Sequence, residues 1–355
     1  MATVVSLEEK RRAGSGIDAL LRLCAEDFAK VDHILSAKMQ SPVGLIPELA
    51  SHLVDAGGKR LRPLLTIAAA KLCGYASQRE DHVKLAACVE LIHSATLLHD
   101  DVVDRSLLRR GKPSANAVWG DKASVLVGDF LFTRAFELMV DVGSLDTLGT
   151  LSRASSTIAE GEVLQLVSAN HISTGETTYL EVIRGKTAKL FAAAAEVGAI
   201  TAAEARARQG GSAARDQRAQ PERRALESFG LNLGIAFQLV DDALDYGGRQ
   251  AKLGKELGDD FREGKITLPV ILAFHRGDST EREFWKRVME TPEAQEPADF
   301  QHGLDLMLRQ NSIHDTMERA RHYGAVARDA LGLFPDSVLK RALLEAVDFA
   351  VERTH

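Results

Sequence analysis

Apolar residues recur at three- and four-residue spacings through almost the whole chain, in segments 17–38, 61–74, 81–104, 121–141, 145–170, 176–201, 222–245 and 312–353. That period lays one apolar stripe along each of a series of helices. Alternating β-branched runs bounded by turns, which a half-buried strand requires, are missing. Alanine and leucine are abundant and aromatics make up only 5% of the residues, so the helices pack mainly through aliphatic side chains. The nine prolines fall at breaks in the pattern. The expectation is an all-α helical bundle around a central cavity. Residues 1–15 read as a disordered polar arm and 16–355 as one domain. The low-complexity stretch 204–221 reads as a flexible surface loop, and 247–265 as a second loop rich in Gly, Lys and Asp.

Two of the helical segments end in the same acidic pattern, Asp100-Asp101-Val102-Val103-Asp104 and Asp241-Asp242-Ala243-Leu244-Asp245. Residues four apart share a helix face, so Asp100 lies above Asp104 and Asp241 above Asp245. Like charges at that spacing repel by a few tenths of a kcal/mol in water, and by more when partly buried. One acidic cluster is commonly just a solvated helix face. Two copies, each following about two turns of apolar helix, point instead to hard divalent cations with oxygen ligands, on two helices facing one cavity.

Basic residues are placed to serve the same site. Gly57-Gly58-Lys59-Arg60-Leu61-Arg62-Pro63 opens a helix, and its first amides with Lys59 and Arg62 could hold a diphosphate. A solvated basic turn is the competing reading. Arg109 and Arg110 follow the first motif closely; they form an internal ion-pair network or bind phosphate oxygens. Lys186-Thr187 after Gly185, Lys255 and Lys265, and Gln238 three residues before Asp241 complete the set. His93 shares the face of Asp100, as a ligand-facing group or an ordinary core histidine. Carboxylates, Mg²⁺ and separated cations imply a diphosphate-bearing substrate with an apolar remainder. The matching chemistry is ionisation of an allylic diphosphate to a carbocation inside a dry hydrocarbon pocket.

Other classes are disfavoured. The net charge is −6, from 44 basic and 50 acidic residues, so no nucleic-acid footprint is indicated. The three cysteines, Cys24, Cys73 and Cys88, lack metal-ligand spacing and are expected as buried free thiols. Neither a secretory signal nor a membrane-spanning run is visible, and a cytoplasmic location is expected.

The residues Gly58-Lys59-Arg60-Leu61-Arg62-Pro63, Leu91–Asp104, Arg109-Arg110-Gly111, Gly185-Lys186-Thr187, Gln238–Asp242 and Gly264-Lys265 resemble the trans-polyprenyl diphosphate synthase family. Within it the chain is most similar to bacterial octaprenyl and decaprenyl diphosphate synthases. The resemblance spans roughly 25–353 and implies the all-α isoprenoid synthase fold, a homodimer, and about two to three Mg²⁺ ions per site. It implies Asp100, Asp104, Asp241 and Asp245 as metal ligands. Lys59, Arg62, His93 and Arg110 would bind isopentenyl diphosphate. Arg109, Lys186, Thr187, Gln238, Lys255 and Lys265 would bind the allylic diphosphate, expected to be farnesyl diphosphate, with Asp100, Asp104, Asp241, Lys186 and Arg109 acting in catalysis. The product would supply membrane enzymes that build quinone side chains. The chain departs from the family in a longer 204–221 segment, in Ile266 where proline is common, and in its Glu352-Arg353-Thr354-His355 ending. None of these departures is expected to touch a metal ligand.

Ala95 and Thr96 stand five and four residues before Asp100, where short-chain members carry bulky aromatics. Small residues there leave room for a long product, since each further helical turn adds ~5 Å. Phe132, Phe136 and Met139 are candidate floor residues, as well as ordinary core residues. A geranylgeranyl-type shorter-chain synthase and a non-catalytic partner subunit are the alternatives. A class I terpene cyclase is disfavoured by the second diacid.

Overall fold

The computed structural model describes residues 16–55, 57, 60–209, 217–247 and 257–353. It is all-α. The order is α1 (Gly16–Lys38), α2 (Leu45–Asp55), α3 (Leu61–Leu72), α4 (Asp81–Val103), a two-strand hairpin β1 (Leu108–Arg109) and β2 (Lys112–Pro113), α5 (Ala115–Trp119), α6 (Asp121–Val142), α7 (Leu145–Ser168), α8 (Glu176–Ile183), a π turn (Arg184–Ala188), α9 (Lys189–Arg208), α10 (Ala219–Gly247), α11 (Asp259–Arg262), α12 (Leu268–Arg276), α13 (Ser279–Glu290), α14 (Asp299–Arg309), α15 (Ser312–Ala330) and α16 (Val338–Glu352).

Helix α9 is the axis of the bundle, packed against α3, α4, α7 and α10. Every residue from Leu190 to Ala202 is buried, the signature of a helix enclosed on all sides. Its neighbours approach that closely because glycines face them. A Cβ on Gly198 would sit 2.6 Å from the Thr66 carbonyl oxygen of α3, and one on Gly234 of α10 would sit 2.6 Å from Ala188 Cα. Gly230 of α10 meets the Phe191 carbonyl just as tightly. A satellite core of Phe261, Trp285, Val288, Met289, Leu306 and Met307 lies apart from the main core and organises α11–α14. Among the described residues no helix is long and apolar enough to cross a membrane.

Several boundaries differ from the sequence reading. Only the ends of the 204–221 segment are helical: α9 runs on to Arg208 and α10 starts at Ala219, with Pro221 in its first turn, while 210–216 lie outside the described residues. Alanine and arginine favour the extension, and Arg206 fixes it by binding Glu222 at 2.8 Å. The 247–265 loop contains α11. The 312–353 segment breaks at residues 331–337, where a 3₁₀ turn (Leu331–Leu333) and Pro335 separate α15 from α16. The 176–201 segment is interrupted by the π turn. Residues 1–15 lie outside the described residues.

Candidate active site

Each acidic motif ends a helix with its carboxylates sorted by the 100° step between neighbours. In both motifs the second aspartate turns inward and is satisfied internally. Asp101 is 1% exposed. Arg109 binds it through two nitrogens, Nε at 2.8 Å from Oδ2 and Nη2 at 2.6 Å from Oδ1. Asp242 is 4% exposed and accepts from Tyr179 Oη at 2.5 Å and Gln238 Nε2 at 2.8 Å. Burial, and then the nearby Asp260 charge, push the Asp242 carboxyl up to about 8. Gln238 in turn accepts from Thr187 Oγ1 at 2.9 Å. The line Thr187–Gln238–Asp242–Tyr179 therefore ties the π turn to the second motif.

The outer carboxylates meet cations. Lys186 Nζ lies 3.6 Å from Asp100 Oδ2, Lys265 Nζ 3.0 Å from Asp104 Oδ2, and Arg353 Nη2 2.7 Å from Asp241 Oδ1. Burial alone would lower both lysine ammoniums. Asp100 with Glu162 outweighs it for Lys186, and Asp104 with Asp260 and Glu263 for Lys265, so both are held above the ordinary lysine value. Asp245 is used differently: its Oδ2 accepts the Asp260 amide at 3.1 Å and so anchors the start of α11.

Lys186 reaches this position because two glycines let its backbone come close to α7. Residues Arg184–Ala188 form a π turn, a form that recurs at functional sites. It rests on α7 where Gly161 and Gly185 meet; a Cβ on Gly161 would sit 2.7 Å from Lys186 N. Beside Gly161, Glu162 Oε2 takes Lys186 Nζ at 2.7 Å. Burial, reinforced by the Asp100 charge, raises the Glu162 carboxyl to about 7.

A separate cationic wall faces the acids. Arg62, on the first turn of α3, stacks over the Phe191 ring at 4.4 Å. Burial pushes its guanidinium down to about 10, while Glu90, Asp241 and Asp100 pull it back up. Both motifs therefore act on one guanidinium. Arg110 and Gly111 form the tip of the β1–β2 hairpin with φ of 54° and 77°, a type I′ geometry suited to a two-residue loop. His93 is held neutral well below the usual histidine range, by burial first and then by Arg62, Arg109 and Arg110. Lys59 and Lys255 lie outside the described residues.

The candidate length-setting residues divide. Ala95 and Met139 are buried, at 0% and 1% exposure, and Thr96 is half-buried with its hydroxyl on the His93 carbonyl at 2.8 Å. Phe136 is 38% exposed and points outward from α6 with Thr133 and Val140. It therefore does not form an interior floor of the single chain; its ring leans on Phe132 at 5.4 Å.

Three groups were not legible as site residues: Glu162, Tyr179 and Arg353. A Gly-Glu pair inside an apolar-periodic helix is the one available signal, for Glu162. Arg353 corrects the expectation that the chain ending stays clear of the acids. Its guanidinium is 8% exposed, stacks on Phe237 at 3.8 Å and donates to the Phe237 carbonyl at 2.6 Å.

Among the described residues, no three His, Cys, Asp or Glu side chains converge to cage a metal. The outer acids stand in ones and twos opposite cations. That donor set fits Mg²⁺, which is held by one or two carboxylates and completes its octahedron with phosphate oxygens and water.

The profile of the polyprenyl synthetase family matches residues 43–307. The octaprenyl diphosphate synthase of Escherichia coli K12 is 41% identical over 340 residues, covering 95% of this chain and 99% of that protein. The crystal structure of a polyprenyl synthase from Caulobacter crescentus CB15, complexed with calcium and isoprenyl diphosphate, superposes with a TM-score of 0.88 at 50% identity, covering 96% of this chain and 99% of that one. That of a decaprenyl diphosphate synthase from Rhodobacter capsulatus gives 0.87 at 48%, with the same coverage.

Proposed function

Because the chain belongs to the polyprenyl synthetase family and is a prenyltransferase, we propose that it is a long-chain synthase condensing isopentenyl diphosphate head-to-tail onto an allylic primer such as farnesyl diphosphate. The product would be octaprenyl to decaprenyl diphosphate for quinone side chains. The observation that carries this reading is the sorting of the acids: Asp100, Asp104 and Asp241 pair with cations, while Asp101 and Asp242 hold the frame.

Asp100, Asp104 and Asp241, with Asp245 beside them, would share about two to three Mg²⁺ ions with the allylic diphosphate. Bound Mg²⁺ supplies neutralisation of the charge that develops on the departing diphosphate oxygen. Lys186, Thr187, Gln238, Lys265 and Lys255 would take the remaining phosphate oxygens, and Arg109, fixed by Asp101, would present its free edge. Lys59, Arg62, Arg110 and neutral His93 would seat isopentenyl diphosphate. As the allylic C–O bond breaks, the alkene of isopentenyl diphosphate attacks the carbocation. A proton is then lost, with released diphosphate as the base.

The small, buried Ala95 and half-buried Thr96 support the long product, in company with relatives named as octaprenyl and decaprenyl synthases. Exposed Leu126 and Val140 on α6, with Leu145, Val163 and Leu166 on α7, support a homodimer that covers them. A cytoplasmic enzyme would hand its product to membrane enzymes. The deciding assay incubates purified protein with isopentenyl diphosphate, farnesyl diphosphate and Mg²⁺ and chromatographs the prenyl product. Diphosphate release with chains beyond geranylgeranyl is expected, and Asp100→Asn should abolish it. No release would favour a non-catalytic subunit, and products stopping at geranylgeranyl the shorter-chain alternative.

A further inference from the structure

Away from the acid motifs, a second polar cavity of ≈ 270 Å³ opens where α7, α9 and α10 meet. Four cations line it, Arg153 from α7, Lys189 from α9, and Arg223 and Arg224 from α10; two carboxylates, Glu196 and Glu227, oppose them. Both carboxylates are already taken. Glu196, 6% exposed, receives Arg223 Nε at 2.7 Å, and Arg223 Nη2 also reaches Thr150 Oγ1 at 3.2 Å. Glu227 has Lys189 at a looser 3.5 Å. Arg153 and Arg224 have no hydrogen-bond or ion-pair partner among the described residues. The cavity therefore has two guanidiniums unpartnered among the described residues beside two carboxylates that already hold ion pairs, and its lining is net positive, four cations against two carboxylates.

We infer that this cavity is a second, metal-independent site for a phosphoryl anion, and that its ligand is inorganic diphosphate. Guanidinium forks match tetrahedral phosphoryl oxygens in paired geometry, and two unpartnered arginines match two phosphoryl groups. The choice of ligand rests on the proposed activity, which releases one diphosphate at every condensation. The cavity adjoins the reaction site along the chain: Lys189 opens α9 directly after the π turn that carries Lys186. An anion held there places negative charge close along the chain to Lys186 without moving the backbone, so accumulated diphosphate would weaken that lysine's hold on a second diphosphate and slow the enzyme from outside the acid motifs.

The test is isothermal titration of the full chain with sodium diphosphate in EDTA, where the acid motifs lack the cation they would need to hold it. Two binding events per chain are expected, one at the metal-free seat of Lys59, Arg62 and Arg110 and one at this cavity, and the cavity's event is the one followed. It should weaken about tenfold or more in the Arg153→Ala/Arg224→Ala protein, which loses two charge-assisted contacts, and stay unchanged in Asp100→Asn/Asp241→Asn. Inorganic phosphate should bind more weakly than diphosphate. The inference is overturned by no binding in EDTA, by binding indifferent to the arginine pair, by binding lost in the acid variant instead, or by phosphate binding equally well. The binding measurement needs no turnover, so failure of prenyl transfer would sink the proposed activity without touching it.

Discussion

Arg353→Ala tests whether the chain ending competes with divalent cations for the second motif. The guanidinium donates to Asp241 Oδ1 at 2.7 Å and to the Phe237 carbonyl at 2.6 Å, and lies 3.8 Å above the Phe237 ring. At an effective dielectric constant of 20, unit charges ~4 Å apart attract by about 4 kcal/mol. The Asp241 side chain is 43% exposed, so water recovers most of that on separation, leaving about 1 kcal/mol for the pair. The stacking contact adds about 1 kcal/mol, and the substitution should cost about 2 kcal/mol of stability. The ion-pair part is what a metal must displace. Its removal should tighten divalent binding about fivefold, since 1.4 kcal/mol is a factor of ten. Mn²⁺ titration without substrate, followed by the free-ion paramagnetic resonance signal, reads this directly. Arg353→Lys keeps the charge and loses the flat stack, so it should fall between. Unchanged or weaker Mn²⁺ affinity in a folded Arg353→Ala protein would refute the competition.

Ala95→Phe places a ring in a fully buried position and should shorten the product; chromatography showing unchanged length would sink the open-tunnel reading. Gly161→Ala puts a methyl 2.7 Å from Lys186 N and should cost about 1–3 kcal/mol while lowering kcat. Gly149→Ala, whose three nearest atoms all belong to the Arg153 side chain, is the matched control; equal effects in thermal melts and kinetics would discount the π-turn seat. His82 is buried and held below the ordinary histidine value of 6.5, by burial first, with Asp27 pulling the other way. The unfolded chain therefore takes up the proton more readily, and stability falls as pH drops below about 6.5. Denaturant midpoints for His82→Gln should lose that part of the slope, and an unaltered slope would assign it elsewhere.

The fold class and the acid motifs were legible because helical period and a doubled charge pattern are properties of spacing alone. The same spacing separated the outer acids from Asp101 and Asp242, whose neighbours at one residue point elsewhere on the helix. The π turn was hidden, because Gly185-Lys186-Thr187 reads as continuous helix until Gly161 is brought against it from a distant segment. Glu162, Tyr179 and Arg353 were hidden for the same reason: each enters the site through tertiary packing. The short helices α11–α14 carry too few turns for periodicity to declare them, and only the shared Phe261–Trp285 core makes them one unit. The helical ends of 204–221 were hidden because charge and glycine content outweighed their helix preference; residues 210–216, where the loop was expected, lie outside the described residues.

The glycine seats around α9 fix more than packing density. With its backbone pressed against α3 and α10, and the adjoining π turn pressed against α7, the axis can neither slide nor rotate without a clash, so Lys186 and Thr187 keep one position. Lys265 has a different seat, for Gly264 is pressed against Pro292, the Asn170 side chain and the Met289 carbonyl of the satellite core. A diphosphate held between Lys186 and Lys265 would thus be gripped by a fixed jaw and a separately mounted one. A grip with one such fixed side would return the reacting carbon of a growing chain to the same reference point at every turnover.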